Sequence, residues 1–198
     1  MNKIIVTAIA ASLGFSGAGL AAEEAAPETA LRPVPGWLTQ SGIVTASPDR
    51  KPVNKAQLAD REAIRETLTL YTLALDDGNS ELLASVLTAD AVTTVYVGSG
   101  TPRVQSIGRD KIVEGFRTLF IQQQDQRRHA ASNMIVQNLR GNTADLVAYA
   151  IVTRTRRAET LLAGVVVYSG KLVRGKDGIW RFSKLDIAID AGEAVVRD

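Results

Sequence analysis

The sequence predicts an α+β protein in which helices come first and a run of β-strands follows. Near the start of the folded part, Ile64, Leu68, Tyr71 and Leu75 recur at the spacing of one helix face. Beyond about residue 130 the pattern changes to Val-rich segments that short turn sequences separate. Helices followed by hairpin-connected strands are typical of the α+β class. We therefore expect a cone-like, curved antiparallel sheet that wraps around the N-terminal helices and leaves a central pocket.

The first helix has sequence signals at both of its ends. Asn54 and Gln57 stand at the spacing of a capping box, which favours a helix start. Asp76, Asp77 and Gly78 follow the last apolar position, and glycine accepts the left-handed conformation that commonly ends a helix. The pattern therefore predicts a helix that ends beside two adjacent carboxylates.

Two further helices and five strands follow the first helix. Residues 80–87 can form a short helix, and Gly108 precedes a third helix over about 109–123. Residues 91–97 are rich in Val and Thr and predict a strand, which the Gly- and Pro-containing segment 98–102 ends. The remaining strands are predicted over residues 130–139, 144–157, 161–174 and 179–189.

The two ends of the chain predict segments outside the folded domain. Residues 1–22 contain Lys3, then an uncharged run that closes on small residues, as in a secretory signal peptide. The alternative is a membrane anchor, because the run is almost long enough to span a bilayer. Residues 23–55 contain five of the six prolines and predict an extended leader. The domain is expected at 56–190, with a C-terminal tail at 191–198.

The composition excludes several classes of function. Lys and Arg number 23 against 21 Asp and Glu, and a net charge of +2 argues against a nucleic-acid-binding protein. Cysteine is absent, which excludes disulfides, thiolate metal sites and cysteine nucleophiles. The one histidine is His129, so one chain cannot form a multi-histidine metal site. We expect no metal ion and no haem or nucleotide cofactor.

Four segments of the folded part resemble a known family in their order and spacing. They are residues 60–92, "GRDKIVEGF", "RRHAASNMIV" and "DGIWRFSKL". Together they resemble the SnoaL-like domain family of the nuclear-transport-factor-like superfamily, over about residues 56–189. That superfamily includes scytalone dehydratase, a hexachlorocyclohexane dehydrochlorinase, ketosteroid isomerase, dioxygenase small subunits and non-catalytic binding modules. The resemblance implies the cone-like fold, whereas the function depends on the site.

The resemblance implies an aspartate–histidine dyad. In the dehydratase and dehydrochlorinase members, an aspartate after the first helix holds a histidine at the start of the sheet; these positions fall on Asp76 and His129. A neutral imidazole accepts a proton through one nitrogen, while a carboxylate bound to the other stabilises the imidazolium. His129 would then be a general base. Without the resemblance, Asp76 is read as a turn former and His129 as a solvated surface residue.

Five further residues are candidates for contact with a substrate. The resemblance matches Tyr96 to a tyrosine that polarises the substrate carbonyl in the scytalone-dehydratase members; the alternative is a buried structural aromatic. Tyr71 faces either the cavity or the sheet. Asn133 lies four residues after His129 and either binds substrate or ends a hairpin. Arg154 and Arg156 share a strand face, which either favours an anionic or oxygen-rich substrate or forms a solvated edge.

The function expected from these residues is a cofactor-independent lyase that performs a dehydratase-like elimination. The substrate would be a small, apolar, cyclic or aromatic molecule, because the pocket walls should be aliphatic and aromatic. The alternatives are a non-catalytic binding or assembly module and a ketosteroid-isomerase-like isomerase. We expect a periplasmic or secreted homo-oligomer, a trimer or a dimer, with no nucleic-acid partner and no membrane attachment after signal cleavage.

Overall fold

The structure is a computed structural model that describes residues 52–97 and 102–190, except for the side chain of Arg103. The signal peptide predicted at 1–22, most of the leader predicted at 23–55 and the tail predicted at 191–198 lie outside the described residues. Within the described part, no helix has the length and apolar character needed to cross a membrane.

Three α-helices pack against one β-sheet. A single 3-10 turn at Lys55–Gln57 leads into helix α1, and the helices are α1 at Leu58–Asp76, α2 at Ser80–Ser85 and α3 at Arg109–Gln122. The strands are β1 at Leu87–Val97, β2 at Pro102–Ile107, β3 at Gln126–Arg140, β4 at Thr143–Arg156, β5 at Glu159–Arg174 and β6 at Trp180–Ile189. This arrangement confirms the predicted α+β fold.

The sheet differs from the expected one in two respects. Its six strands have the order β2-β1-β6-β5-β4-β3, and β1 runs parallel to β6, so the sheet is mixed and not wholly antiparallel. Strand β2 was not predicted, because the segment before it was interpreted only as a strand break. It pairs antiparallel with β1 and extends the sheet by one edge strand. The sheet is open, with β2 and β3 as its edges.

The ends of α1 explain how the chain presents a carboxylate to the sheet. Asn54 caps the 3-10 turn through Ala56 N–H at 3.0 Å, so it does not form the predicted capping box. At the other end the helix stops at Asp76, as predicted, and Gly78 takes a positive φ of 62°. The N–H of Asp77 bonds Leu73 C=O at 3.0 Å, which closes the last turn.

The core lies between the helices and the inner face of the sheet, which is the face turned toward α1 and α3. Ile64, Leu68 and Tyr71 on α1 are fully buried, as are Phe182 and Leu185 on β6. Burying each of the four wholly apolar side chains among them stabilises the fold by about 1.5–3 kcal/mol. Toward one end of the sheet this packing opens into a cavity.

Candidate active site

The cavity lies between α1, α3 and the inner face of the sheet, and its volume is about 70 Å³. Its walls are mostly apolar, with Leu75, Val95, Phe116, Val152 and Ile187 among them. Only a few polar side chains reach it, and these are His129, Tyr71, Tyr168, Thr93 and Ser106. An apolar cavity with a few convergent polar groups is the usual form of a small-molecule site.

Asp76 and His129 form a close pair at one side of this cavity. Nδ1 of His129 lies 2.6 Å from Oδ1 of Asp76, and the backbone N–H of His129 donates to Oδ2 at 3.1 Å. The two side chains are 5% and 10% exposed, for Asp76 and His129 respectively. Because the carboxylate takes both contacts from one residue, it fixes the imidazole plane. Because a carboxylate only accepts, we expect Nδ1–H to donate to Asp76, which leaves Nε2 of the neutral ring as the proton acceptor.

The pair forms because the end of α1 meets the start of β3. The side-chain amide of Gln126 on β3 donates to the C=O of Asp76 at 2.9 Å, which ties the last turn of the helix to the edge strand. On β3, His129 is paired with Val152 of β4, and both side chains line the cavity. Asp76 does not line the cavity, and it contacts the imidazole of the lining residue His129 at Nδ1.

Two tyrosines face the cavity from opposite walls. Tyr71 on α1 is fully buried, and its hydroxyl has no hydrogen-bond partner. Tyr168 on β5 is 2% exposed, and its ring lies edge-on to Tyr71 with 5.9 Å between the ring centroids. Sequence reasoning left the direction of Tyr71 open and missed Tyr168. The sequence did contain a signal for Tyr168. This residue follows Val166 by two positions, so both point to the same face of the strand, and the inward positions of that strand are apolar.

Burial keeps both phenols protonated. It raises the pKa of Tyr71 well above its ordinary value, and the neighbouring Tyr168 raises that pKa further. Burial also raises the pKa of Tyr168, and the negative charge of Asp76 adds to the effect. Both hydroxyls therefore remain hydrogen-bond donors at neutral and mildly alkaline pH, and they can donate to an oxygen on which negative charge develops.

Tyr96 is not one of the cavity residues, which corrects the expectation from the resemblance. On β1, Thr93 and Val95 line the cavity, and successive side chains of a strand point to opposite faces. Tyr96 therefore lies on the outer face, in a small apolar cluster with Val147 and Val167. Tyr71 and Tyr168 are the tyrosines that share the cavity with His129, as was expected of Tyr96.

Of the predicted substrate-binding residues, Tyr71 lines the cavity, whereas Asn133, Arg154 and Arg156 lie outside it. Asn133 is exposed at an irregularity of β3, with a positive φ of 50°, so the expected strand alternation from His129 is broken there. Arg154 and Arg156 line a separate cleft beyond the end of the cavity. Arg174 does not line the cavity either: it forms an ion pair with Asp60 at 2.9 Å and lies over the Trp180 ring.

Acidic groups are absent from the cavity walls that the structure describes. A ketosteroid-isomerase-like site needs carboxylates inside the pocket, so the described walls do not support that alternative. Among residues 52–97 and 102–190, no three His, Asp or Glu side chains are grouped so that they could hold a metal ion.

The chain belongs to the SnoaL-like domain family, whose sequence profile matches residues 56–186. No curated protein is significantly similar to it in sequence. Solved structures with the same fold include an NTF2-like protein with a cystatin-like fold from Novosphingobium aromaticivorans. It is 25% identical, with a TM-score of 0.57, over 70% of this chain and 87% of that one.

Two other similar structures belong to proteins with a stated activity. The first is the beta subunit of a putative aromatic-ring-hydroxylating dioxygenase from N. aromaticivorans, 19% identical with a TM-score of 0.60; the match covers 70% of this chain and 94% of that one. The second is a type 2 hexachlorocyclohexane dehydrochlorinase, 20% identical with a TM-score of 0.56, and here the match covers 67% and 86%. At these identities the likeness shows the fold alone.

Proposed function

We propose that this protein is a cofactor-independent lyase that catalyses a dehydratase-like elimination, with His129 as the general base. The observation that supports this most directly is the 2.6 Å contact between Asp76 and His129 at the wall of an apolar cavity. A surface histidine of no function would not need a buried carboxylate with both oxygens turned to it. The similarity to a dehydrochlorinase, an enzyme of elimination chemistry, is consistent with the proposal.

The residues divide the elimination between them. Nε2 of His129 removes a proton from a carbon next to an activating carbonyl, and Asp76 stabilises the imidazolium that forms. The electron pair of the broken C–H bond becomes the new double bond as the C–O bond to the leaving hydroxyl breaks. The imidazolium returns its proton to that hydroxyl, which leaves as water. Tyr71 and Tyr168 donate to the carbonyl oxygen while negative charge builds up on it.

The dimensions and walls of the cavity limit the part of the substrate that reacts. Its walls are aliphatic and aromatic, and its volume is about 70 Å³. The reacting part is therefore small and apolar. The proposed elimination requires a β-hydroxy carbonyl unit in this part, and we propose that the substrate as a whole is cyclic or aromatic. Water is largely displaced from such a site, which strengthens the contacts between the two phenols and the substrate oxygen.

The proton on His129 tests the proposal before any substrate is known. Long-range ¹H–¹⁵N NMR reports the tautomer of the chain's single imidazole, which needs no assignment. In the wild type we expect Nδ1 to carry the proton of the neutral ring. In Asp76→Asn the side-chain amide oxygen still accepts the hydrogen bond from the backbone N–H of His129. The side-chain NH₂ group then donates to Nδ1, so the ring proton moves to Nε2. Elimination activity should then fall roughly 10²–10⁴-fold.

Asp77→Asn is the matched control, because it removes the same charge one residue further along the chain. The Asp77 carboxylate is 63% exposed and lies 3.6 Å from Arg128, away from the imidazole. The Asp77→Asn variant should leave the tautomer of His129 and the elimination activity unchanged. The substrates are β-hydroxy ketones with small cyclic substituents, followed by the ultraviolet absorbance of the conjugated product. The same tautomer in wild type and Asp76→Asn would overturn the lyase and favour a binding module.

We also propose that the mature protein works outside the cytoplasm, because residues 1–22 have the pattern of a signal peptide. Fractionation of the expressing cells and N-terminal sequencing of the purified protein test this. A mature chain that begins near Glu23 in the periplasmic or secreted fraction is expected. An intact Met1 in the cytoplasmic fraction would contradict it.

A further inference from the structure

A second cleft lies at the end of strand β4, and three of its six lining residues are arginines. This arginine cleft consists of Arg154, Arg156, Arg157, Asp125, Glu159 and Leu161, and its volume is about 360 Å³. On β4, Val152 lines the cavity and Arg154 follows it two residues later on the same face. The rise along a strand places the Cα atom of Arg154 about 7 Å beyond that of Val152. The cleft therefore begins where the cavity ends.

The charges of the arginine cleft are not balanced within the described residues. Asp125 is already paired with Arg127, at 3.1 Å between Oδ1 and Nε. Arg156 donates to the neutral amide oxygen of Gln124 at 2.9 Å. Arg154 forms no ion pair with a described carboxylate. Its cross-strand neighbour on β3 is Arg127, which is also positively charged. Glu159 is the one carboxylate left to oppose Arg154, Arg156 and Arg157.

One short segment connects the arginine cleft to the dyad. In residues 124–129, Gln124 contacts Arg156, Gln126 holds the C=O of Asp76, and His129 binds the Asp76 carboxylate. His129 pairs with Val152 and Arg127 pairs with Arg154, so the arginines of β4 and the dyad histidine of β3 lie at the same end of this strand pair. Guanidinium groups bind carboxylate, sulfonate and phosphate oxygens through two parallel hydrogen bonds.

We propose that the substrate carries an anionic group that Arg154 and Arg156 bind in the arginine cleft, while its apolar part enters the cavity at His129. This inference rests on the proposed lyase function for the statement that the ligand is a substrate. It narrows the substrate class to apolar cyclic or aromatic molecules with a carboxylate, sulfonate or phosphate a few bonds from the reacting carbon. The simplest member is a β-hydroxy ketone with an apolar ring and a separate carboxylate, because the activating carbonyl contacts the two tyrosines while the anion lies in the arginine cleft.

The test compares two ligands that differ in charge and hardly in shape. Cinnamate and cinnamamide both carry an apolar ring on a short conjugated chain, and only the first carries a carboxylate. Binding is followed through the NMR signals of the His129 imidazole, at low and at high salt. We expect cinnamate to bind the wild type roughly tenfold more tightly at low salt, and the difference to shrink as salt screens the arginines. Inorganic phosphate should compete with cinnamate and leave cinnamamide bound.

The double variant Arg154→Gln/Arg156→Gln should lose the preference and retain its affinity for cinnamamide. The control variant Arg65→Gln/Arg140→Gln removes the same two charges from α1 and from the far end of β3. It should keep the preference, and thermal unfolding should show that both variants are folded. Equal affinity of the wild type for the two ligands, no cinnamate binding, or an unchanged preference in Arg154→Gln/Arg156→Gln would overturn the inference.

Failure of this inference can be told apart from failure of the proposed function. Asp76→Asn leaves the arginines in place, so it should still prefer cinnamate even though its tautomer is changed. A wild type that prefers cinnamate but has the same imidazole tautomer as Asp76→Asn would contradict the lyase and support an anion-binding module. If the imidazole tautomer differs between the wild type and Asp76→Asn but the wild type does not prefer cinnamate, the result would support the lyase and contradict the anionic substrate.

Discussion

The hydroxyl of Tyr71 is buried without a hydrogen-bond partner. Such a group destabilises a fold, so its presence indicates a functional role. In Tyr71→Phe the ring and its edge contacts to Phe116, Tyr168 and Phe182 remain. We expect the free energy of unfolding in urea to stay the same or to rise by about 1 kcal/mol. Elimination activity should fall, because one donor to the substrate oxygen is lost.

The pH dependence of stability in Tyr71→Phe tests the burial of the hydroxyl independently of its role in the reaction. The raised pKa of Tyr71 means that the folded protein holds this proton when the unfolded chain releases it above about pH 10. Stability from this group is therefore complete below about pH 10 and is lost as pH rises further. Tyr71→Phe should lose less stability between pH 9 and 11 than the wild type.

The control for the activity of Tyr71→Phe is Tyr149→Phe, on the outer face, which should keep wild-type activity. A fall in activity as large as that of Tyr71→Phe would contradict the role of the cavity hydroxyl.

The turn between β5 and β6 is an element that one carboxylate organises. Asp177 accepts two hydrogen bonds from Arg181, at 3.1 and 2.8 Å, and one from the N–H of Ile179 at 3.1 Å. The bonds from Arg181, and then that from Ile179, lower the pKa of Asp177 from its ordinary 3.8 to about 2. A lowered pKa contributes stability above the unfolded value, and that contribution is lost as pH falls toward 2.

Asp177→Asn should therefore unfold at a lower urea concentration than the wild type at pH 7. The difference should stay constant down to about pH 5 and shrink as pH falls from about 4 toward 2. Urea midpoints at half-unit pH steps measure it. Asp90→Asn, which alters an exposed carboxylate on β1, is the control and should show no such convergence. A pH-independent difference for Asp177→Asn would show that packing of the turn, and not its charge, is responsible.

At the scale of elements, the local patterns could be predicted from the sequence and the pairings could not. The end of α1 at Asp76 followed from Gly78, whose left-handed conformation is a local property. The parallel pairing of β1 with β6 joins residues almost a hundred positions apart, and no local signal encodes it. The face of Tyr96 was missed although strand alternation determines it, because the resemblance was followed and the positions of Thr93 and Val95 were not considered.

At the scale of the whole molecule, the outer face of the sheet has more apolar surface than a solvated face needs. Val147, Val167 and Ala188 form a cluster there with Tyr96 and Tyr149. Nearby on the same face, Ile151 is 50% exposed, and Ile135 beside Val147 is 45% exposed. Exposed apolar patches of this kind mark interaction surfaces, and the chain was expected to form a homo-oligomer.

Ile151→Glu tests whether a second copy of the chain covers this face. A charge in the middle of an apolar interface is desolvated without a partner, which costs several kcal/mol, so the variant should become monomeric. Light scattering coupled to size exclusion gives the mass, and the wild type is expected to be a dimer or a trimer. Ile179→Glu is the matched control, because Ile179 is 51% exposed but lies in the β5–β6 turn. A monomeric wild type, or dissociation by both variants alike, would contradict an interface on the outer face and leave the cavity and its dyad complete within one chain.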